Sequence, residues 1–363
     1  MARKIFIAAT GQNSGKTTIS VSLMHLARKK YGRVGFIKAI GPKYQDFNGL
    51  AIDMDAGLMA RIFGLEDDIA YMSPVVLGPG TTKKFIDGDI TPLYPIAKIT
   101  EAVQALERKN DFLIIEGSGH GGVGSVIGLN NARVAKLVEA SVVMVSGGGI
   151  GNVIDSVQLN LPLYREEGAS VRLLLVNKLI PEKRETSLTY LQKSFRPHGI
   201  SVVGAFDYSP VLANPTLNNL SRLLGHPLKG DESQGTRIIH NIQLGAASSQ
   251  VVIDRLREST LLVVTSSRDE LLVTASSLYH IPAYRQRIAG LVISGHLPVS
   301  AITQKIVDES AIPHIRIHET TANVFSALTY HVSKISAEDT EKIDLIKAQA
   351  EQILDFDAID ALL

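Results

Sequence analysis

A lysine that follows a glycine at the mouth of a helix can hold phosphate oxygens. The chain places one in Thr10-Gly11-Gln12-Asn13-Ser14-Gly15-Lys16-Thr17. An apolar run, Ile5 to Ala9, leads into this stretch. A segment from Thr17 to Lys30 leaves it with Ile19, Leu23 and Leu26 at helical spacing. Strand, glycine loop and helix in that order are the context of a phosphate-binding loop, in which inward-turned N–H groups and the positive end of the helix dipole surround phosphate. Gly11, Gln12, Asn13, Ser14, Gly15, Lys16, Thr17 and Thr18 are the expected nucleotide cradle. Lys16 is suited to the β- and γ-phosphates, and the Thr17 hydroxyl to Mg²⁺. Thr10 stands where such loops usually carry their first glycine, with Gly11 beside it. The expected ligand is ATP with Mg²⁺.

Further residues fall at strand ends. Glu116 closes the apolar run FLII and opens Gly117-Ser118-Gly119-His120-Gly121-Gly122. A carboxylate there can hold Mg²⁺, and the glycines allow backbone to approach phosphate. Lys38 ends the run before it and can neutralise a terminal phosphate or a substrate carboxylate. Asp53 and Asp55 in AIDMDAG can complete a metal shell or form the acidic first turn of a helix. Asn177 in VNKL can read an adenine edge, or cap a helix. Arg268 and Asp269, and Gly295 and His296, follow later strand-like runs and point to a second small-molecule site or to a buried Arg–Asp pair. His314 and His318 are too few for a structural zinc site.

These residues need a frame. Apolar runs at Val34 to Ile37, Phe112 to Ile115, Val142 to Val145, Leu173 to Val176 and Val202 to Ala205 alternate with helix-like segments, which predicts a doubly wound α/β domain with a mostly parallel sheet. The polar stretch from His226 to Thr236 reads as a linker. The expected division is a nucleotide domain over 1–225, a linker over 226–236 and a smaller α/β domain over 237–363. Within the last, strands are expected at Leu261 to Val264, Ala289 to Ile293 and Ile315 to Ile317, and helices near 267–279, 299–309 and 320–331. A final helix from Ala337 to Leu354, capped by Ser336, carries Ile343, Ile346, Ala350 and Ile353 on one stripe.

Composition narrows the options. With 45% hydrophobic and 20% charged residues, the 363-residue chain is of globular type. A net charge of +1 favours neither nucleic acid nor an anionic membrane as partner. The absence of cysteine excludes disulfides, thiolate metal sites and a cysteine nucleophile. No apolar run is long enough to cross a membrane as a helix, and the opening MARKIFIAATG reads as a strand rather than a signal peptide, so a cytoplasmic location is expected.

The order GQNSGKTT, strand-end Lys38, IIEGSGHGG and VNK resembles the dethiobiotin synthetase family and the related ATPase half of cobyrinic acid a,c-diamide synthase. The stretch VLANPTLNNL through LGAAS, LVVTSSRDE and AGLVISGH resembles a DRTGG domain, although the string DRTGG is absent. The joint arrangement is similar to the N-terminal regulatory part of long bacterial phosphate acetyltransferases, over nearly the whole chain. The resemblance implies phosphate binding by Lys16 and Lys38, Mg²⁺ binding by Thr17, Asp55 and Glu116, adenine reading by Asn177, and a homodimer.

Two functions remain open at this level. One is an ATP-responsive regulatory protein. The other is an ATP-dependent ligase that activates a carboxylate as an acyl phosphate for attack by an amine, with Lys16, Lys38 and Glu116 as its catalytic groups. Without cysteine the chain cannot release ammonia from glutamine by itself. It ends after the DRTGG-like part, so acetyl transfer is not expected.

Overall fold

The structure, a computed structural model, describes residues 2–42, 44–331 and 333–363. It divides into two compact units, Met1–Tyr208 with Ile343–Leu363, and Ser209–Lys342.

The first unit is built on β1 (Arg3–Ala9), β2 (Val34–Lys38), β5 (Phe112–Glu116), β6 (Ser141–Gly147), β7 (Val171–Leu179) and β8 (Ser201–Asp207); a hairpin of β3 (Tyr44–Phe47) and β4 (Leu50–Asp53) stands apart from them. The six strands form one sheet in the order β2-β5-β1-β6-β7-β8, with every pair parallel. The sheet's β-branched and aliphatic residues are covered on both faces, as a parallel sheet requires. Phe6, Ile37, Leu113, Ile115, Met144 and Val176 belong to one buried cluster. Strands β2 and β5 lie on one side of β1 and β6 to β8 on the other, so the carboxyl end of β1 is the switch point where such sheets take ligands.

Each expected strand of this sheet is present and runs past its expected bounds. Two of the extensions matter for the site. β2 reaches Lys38 and β5 reaches Glu116, and the register sets these two residues side by side.

The second unit holds β9 (Leu228–Lys229), β10 (Asn241–Leu244), β11 (Thr260–Thr265), β12 (Ile288–Ser294) and β13 (His314–Arg316). Their order is β10-β11-β12-β13-β9, parallel except for β9. The expected helices appear as Asp269–Tyr279, Ala301–Glu309 and Thr321–Thr329.

Three expectations are corrected here. The stretch 226–236 is not a linker: Leu228 and Lys229 pair with β13, and Glu232–Thr236 form a 3₁₀ turn inside the second unit. The division falls after Tyr208, and the last 21 residues, Ile343–Leu363, pack with the first unit. The final helix spans Thr340–Ile353 and does not start at Ser336, whose hydroxyl lacks a partner while its N–H donates to Asp339 at 2.8 Å. Its stripe does form, with Ile343, Ile346 and Ala350 buried. Among the described residues no helix is long and apolar enough to cross a membrane.

The chain's end is tied to the nucleotide half by charge. Asp360 is buried; it accepts from Tyr31 at 2.8 Å and forms ion pairs with Lys30 at 2.8 Å and Arg3 at 2.6 Å. Burial alone would raise its pKa. The hydrogen bonds from Lys30 and Tyr31 and the charge of Arg3 outweigh that and hold it below the ordinary carboxylate value. A depressed carboxylate contributes stability above its unfolded pKa and loses it as pH falls through the folded one. Asp360→Asn is therefore expected to cost roughly 1–2 kcal/mol near pH 7, discounted because its cationic partners are partly exposed. Urea denaturation at several pH values should show the gap between variant and parent closing below about pH 4, where the parent's carboxylate also becomes protonated.

Candidate functional site

Gly15 makes the turn from β1 into the Lys16–Lys30 helix. Its φ of 93° lies in the left-handed region, and a Cβ there would fall 1.9 Å from the Asn177 amide nitrogen. No other residue fits both conditions. Asn13 also turns with positive φ, at 58°. The loop is held from the end of β7: Asn177 Nδ2 donates to the Ser14 carbonyl at 3.0 Å, and Lys178 Nζ donates to that of Asn13 at 2.7 Å. The Ser14 hydroxyl closes the loop on the Gly11 carbonyl at 3.0 Å. Thr10, in place of a glycine, lies 3.0 Å from the buried Ser146 hydroxyl at the end of β6. Its side chain thus serves as a strand-to-strand link beneath the loop.

Lys16 heads the helix, and its ammonium donates to the Gly119 carbonyl at 2.7 Å. The glycine loop after β5 therefore faces the phosphate loop. Asn131 shapes that second loop. Its carbonyl accepts the Ser118 N–H at 3.0 Å, and its amide donates to the Ser118 and His120 carbonyls at 2.6 Å each. Asn160 accepts the Gly121 N–H at 3.0 Å and donates to the Thr10 carbonyl at 3.3 Å, which couples the two loops.

A buried charge cluster lies at the sheet edge beside these loops. Lys38 Nζ sits 2.6 Å from Glu116 and 3.0 Å from Asp55, and it donates to the Gly117 carbonyl at 3.1 Å. Lys38 is 3% exposed and Glu116 is fully buried. The second Glu116 oxygen accepts the Ser20 hydroxyl at 2.5 Å. Burial by itself would strip the proton from Lys38, but Glu116, Asp55 and Asp53 together hold its pKa above the ordinary lysine value. A raised lysine pKa contributes stability at all pH values below it, so the contribution of Lys38 does not change across the neutral range. Asp53 caps the Met54–Phe63 helix through the Asp55 N–H at 2.9 Å, so of the two aspartates it has the structural task.

The structure thus brings Gly11 to Thr18, Lys38, Asp55, Glu116 and Asn177 to the carboxyl edge of one sheet. The Asn177 amide is engaged at both ends, since its oxygen also accepts the Lys178 N–H at 2.9 Å. Ser20, Ser118, Asn131 and Asn160 were not singled out in the sequence. Only Ser20 carried a usable signal: it lies four residues after Lys16, on the same helix face.

Oxygen donors suit Mg²⁺, which is bound through one or two carboxylates with the remaining positions filled by phosphate and water. Two carboxylates and the Thr17 hydroxyl match that pattern. Among the described residues no group of three or more His, Asp or Glu is placed to hold a metal unaided.

A family model described as an AAA domain matches residues 3–216, more than half of the chain. The chain belongs to this AAA_26 family of P-loop domains. A second model, a DRTGG domain, matches residues 220–330, so the AAA_26 domain is fused to a DRTGG domain. The phosphate acetyltransferase of Nitratidesulfovibrio vulgaris is 22% identical over 98% of this chain and 51% of its own length. An ATP-dependent dethiobiotin synthetase of Clostridium botulinum is 26% identical over 49% of this chain and 79% of its own length. The chain spans about half the length of the phosphate acetyltransferases it matches. Among solved structures, the MinC:MinD cell division protein complex of Aquifex aeolicus covers 58% of this chain and 84% of its own, at 14% identity and a TM-score of 0.37. A nucleotide-binding protein of Archaeoglobus fulgidus in complex with ADP covers 57% and 82%, at 16% identity and a TM-score of 0.32.

The carboxyl edge of the AAA_26 domain's sheet carries its charges toward the loops; that of the DRTGG unit does not. Arg268 donates to the carbonyls of Gly245 and Ala247 at 3.0 and 2.9 Å and pairs with Glu270, not with Asp269. Arg316 spends its guanidinium on the carbonyls of Ile293, Ile317, Gly295 and Leu297, at 2.5–3.0 Å. His314 is buried on the Ile312 carbonyl, and burial lowers its pKa.

Removing Lys38 would leave the fully buried Glu116 without the cation beside it. Lys38→Met should cost about 3–5 kcal/mol in urea denaturation at pH 7. The double variant Lys38→Met, Glu116→Gln should recover part of that loss. Equal stability of single variant and parent would show that the cluster does not hold the sheet edge together.

Proposed function

We propose that the chain is a Mg²⁺·ATP-responsive regulatory protein. The observation that supports this reading most strongly is the double valence of the buried cluster. Glu116 and Asp55 can pair with Lys38 or with a divalent ion, and Lys38 can pair with them or with phosphate oxygens. Changing the partners of a buried triad is a two-state event of the kind that a nucleotide switch needs.

In this reading Lys16 leaves the Gly119 carbonyl for the β- and γ-phosphates, and N–H groups of the Gly11–Thr18 stretch surround the oxygens. Thr17, Asp55 and Glu116 would hold Mg²⁺, whose contribution when bound is to neutralise phosphate charge. Asn177 holds the loop from beneath, and reading an adenine edge would cost it the bond to Ser14 or to the Lys178 N–H. The Lys16 contact would tie the glycine loop after β5 to nucleotide occupancy.

The second reading is an ATP-dependent carbon–nitrogen ligase acting on a small carboxylate or amine. Its support is the likeness to dethiobiotin synthetase, which covers 79% of that enzyme's length. A homodimer belongs to both readings, and light scattering of the purified chain would remove it by returning a monomer mass.

Calorimetric titration with ATP, ADP and GTP, with and without Mg²⁺, followed by phosphate-release measurements, tests the proposal. Saturable, Mg²⁺-dependent ATP binding with negligible release, unchanged by added amines and carboxylates, is the expected result. Release that rises steadily with one acceptor would replace the regulatory reading by the ligase. Lys16→Ala should weaken ATP binding about tenfold to a hundredfold, the worth of one or two lost charge-assisted hydrogen bonds, with an unchanged circular dichroism spectrum. Normal ATP binding by that variant would refute the phosphate site.

A further inference from the structure

The second unit contains a cavity of about 300 Å³ between edge strand β10 and the segment that leads into β11. That is at the lower end of the sizes that hold small ligands. Ile242, Leu244 and Val251 supply apolar wall, and Arg255 and Arg257 also line it. Among the described residues, neither guanidinium takes part in any hydrogen bond or ion pair; the bonds at Arg257 are those of its backbone. Among the described residues neither flanking carboxylate forms an ion pair with them. Asp254 is engaged by the Gln250 amide at 2.9 and 3.0 Å, and Glu258 forms no ion pair with either arginine.

The backbone that carries the arginines is fixed. Thr260, fully buried, donates its hydroxyl to the Arg257 carbonyl at 2.8 Å and accepts the Arg257 N–H at 3.3 Å. Gln243 donates to the Val252 carbonyl and Asn241 to that of Glu258, both at 2.9 Å, which ties this segment to β10. Two always-charged planar forks, both exposed, stand on a clamped backbone beside a half-apolar hollow, where they can take a pair of anionic groups. The contrast with Arg268 and Arg316 of the same unit is direct, because those two are saturated by carbonyls.

We propose that the cavity along β10 binds a small dianionic molecule, a diphosphate or a short dicarboxylate, through Arg255 and Arg257. The site lies within the second unit and shares no residue with the phosphate loop, so it does not rest on the function proposed above.

The test is calorimetric titration of the full chain carrying Lys16→Ala, with inorganic pyrophosphate and with succinate as separate probes. Lys16→Ala weakens the phosphate loop as a competing site, and any binding left there is recognised because it survives replacement of both arginines. The expected result is saturable binding of at least one probe with one site per chain. The probe that binds tells phosphate from carboxylate. Arg255→Gln and Arg257→Gln, each added to that chain, should weaken the binding about tenfold or more, as loss of a charge-assisted contact does. Arg257→Lys should fall between parent and Arg257→Gln, since it keeps the charge and loses the fork. Both Gln variants in the otherwise native chain should keep its ATP titration and its thermal midpoint, which separates loss of this site from misfolding. Failure of both probes to bind saturably up to about 10 mM, an affinity too weak to need a built site, would overturn the proposal. Undiminished binding by the variant with both arginines replaced would overturn it equally.

Discussion

The parallel sheet of the first unit ends in a fully buried carboxylate, and the surrounding edge is arranged to make that tolerable. Glu116 closes β5, with β1 on one side and β2 on the other. An isolated carboxylate there would be protonated or would open the edge to water. Lys38 prevents both because the β2–β5 register sets it directly beside Glu116. Asp55 then joins from the Met54–Phe63 helix, and Ser20 from the Lys16–Lys30 helix. Two helices and two strands are therefore referenced to one charge. The net gain from such a cluster over apolar packing is small, because desolvation offsets most of the Coulomb attraction. Its physical value is that an error in position by any of the four elements leaves a buried charge exposed to its full desolvation cost.

That constraint also explains why the glycine-rich loop after β5 can be both open in backbone and defined in shape. Glycines at 117, 119 and 121 allow a path that other residues would block: a Cβ on Gly117 would meet Asn131 at 2.6 Å. Freedom of this kind has an entropic cost. Asn131 and Asn160 offset it with amide hydrogen bonds to the loop backbone, from helices whose starting points lie beyond the loop in sequence. The side chains that make the loop specific are neutral. The charged ones, Lys16 and Lys38, only end on its carbonyls.

The separation between what could and could not be read from sequence follows the range of the interactions. The β1–loop–helix unit was legible because its parts are adjacent and each residue type is forced by local geometry, as at Gly15. The strands were legible because a doubly covered parallel sheet leaves long apolar runs. Their ends were less so, since Lys38 and Glu116 interrupt the apolar signal while remaining in the ladder. Asn131 and Asn160 were invisible, because an asparagine that serves a distant loop has the same local surroundings as one that caps a helix. The stretch 226–236 was misread for a related reason. A two-residue edge strand and a 3₁₀ turn are short and polar, and composition alone does not separate them from a linker. The return of Ile343–Leu363 to the first unit depends on Asp360 meeting Arg3, Lys30 and Tyr31, more than 300 residues away in sequence, which no local pattern encodes.

Both units are built on parallel strands, but the second sheet runs β10-β11-β12-β13 in one direction without a switch point, and the two reach different electrostatics, which limits how far one can be read from the other. In the first, the helix N-terminus at Lys16 faces a loop of glycines, and the cations there end on single carbonyls and on carboxylates. In the second, the residues after β11 and β12 look equally suitable in sequence, with Arg268 just beyond one strand and a glycine just beyond the other. Yet Arg268 fastens the loop after β10, and Arg316 fastens the turns after β12 and β13, through backbone carbonyl oxygens. A guanidinium committed to three or four carbonyls cannot move to a ligand without orphaning them, at a cost comparable to what a phosphate contact returns. The carboxyl edge of the second sheet is thus closed by its own backbone, and available positive charge in that unit has to be sought elsewhere, at groups whose hydrogen-bonding capacity the fold has left unused.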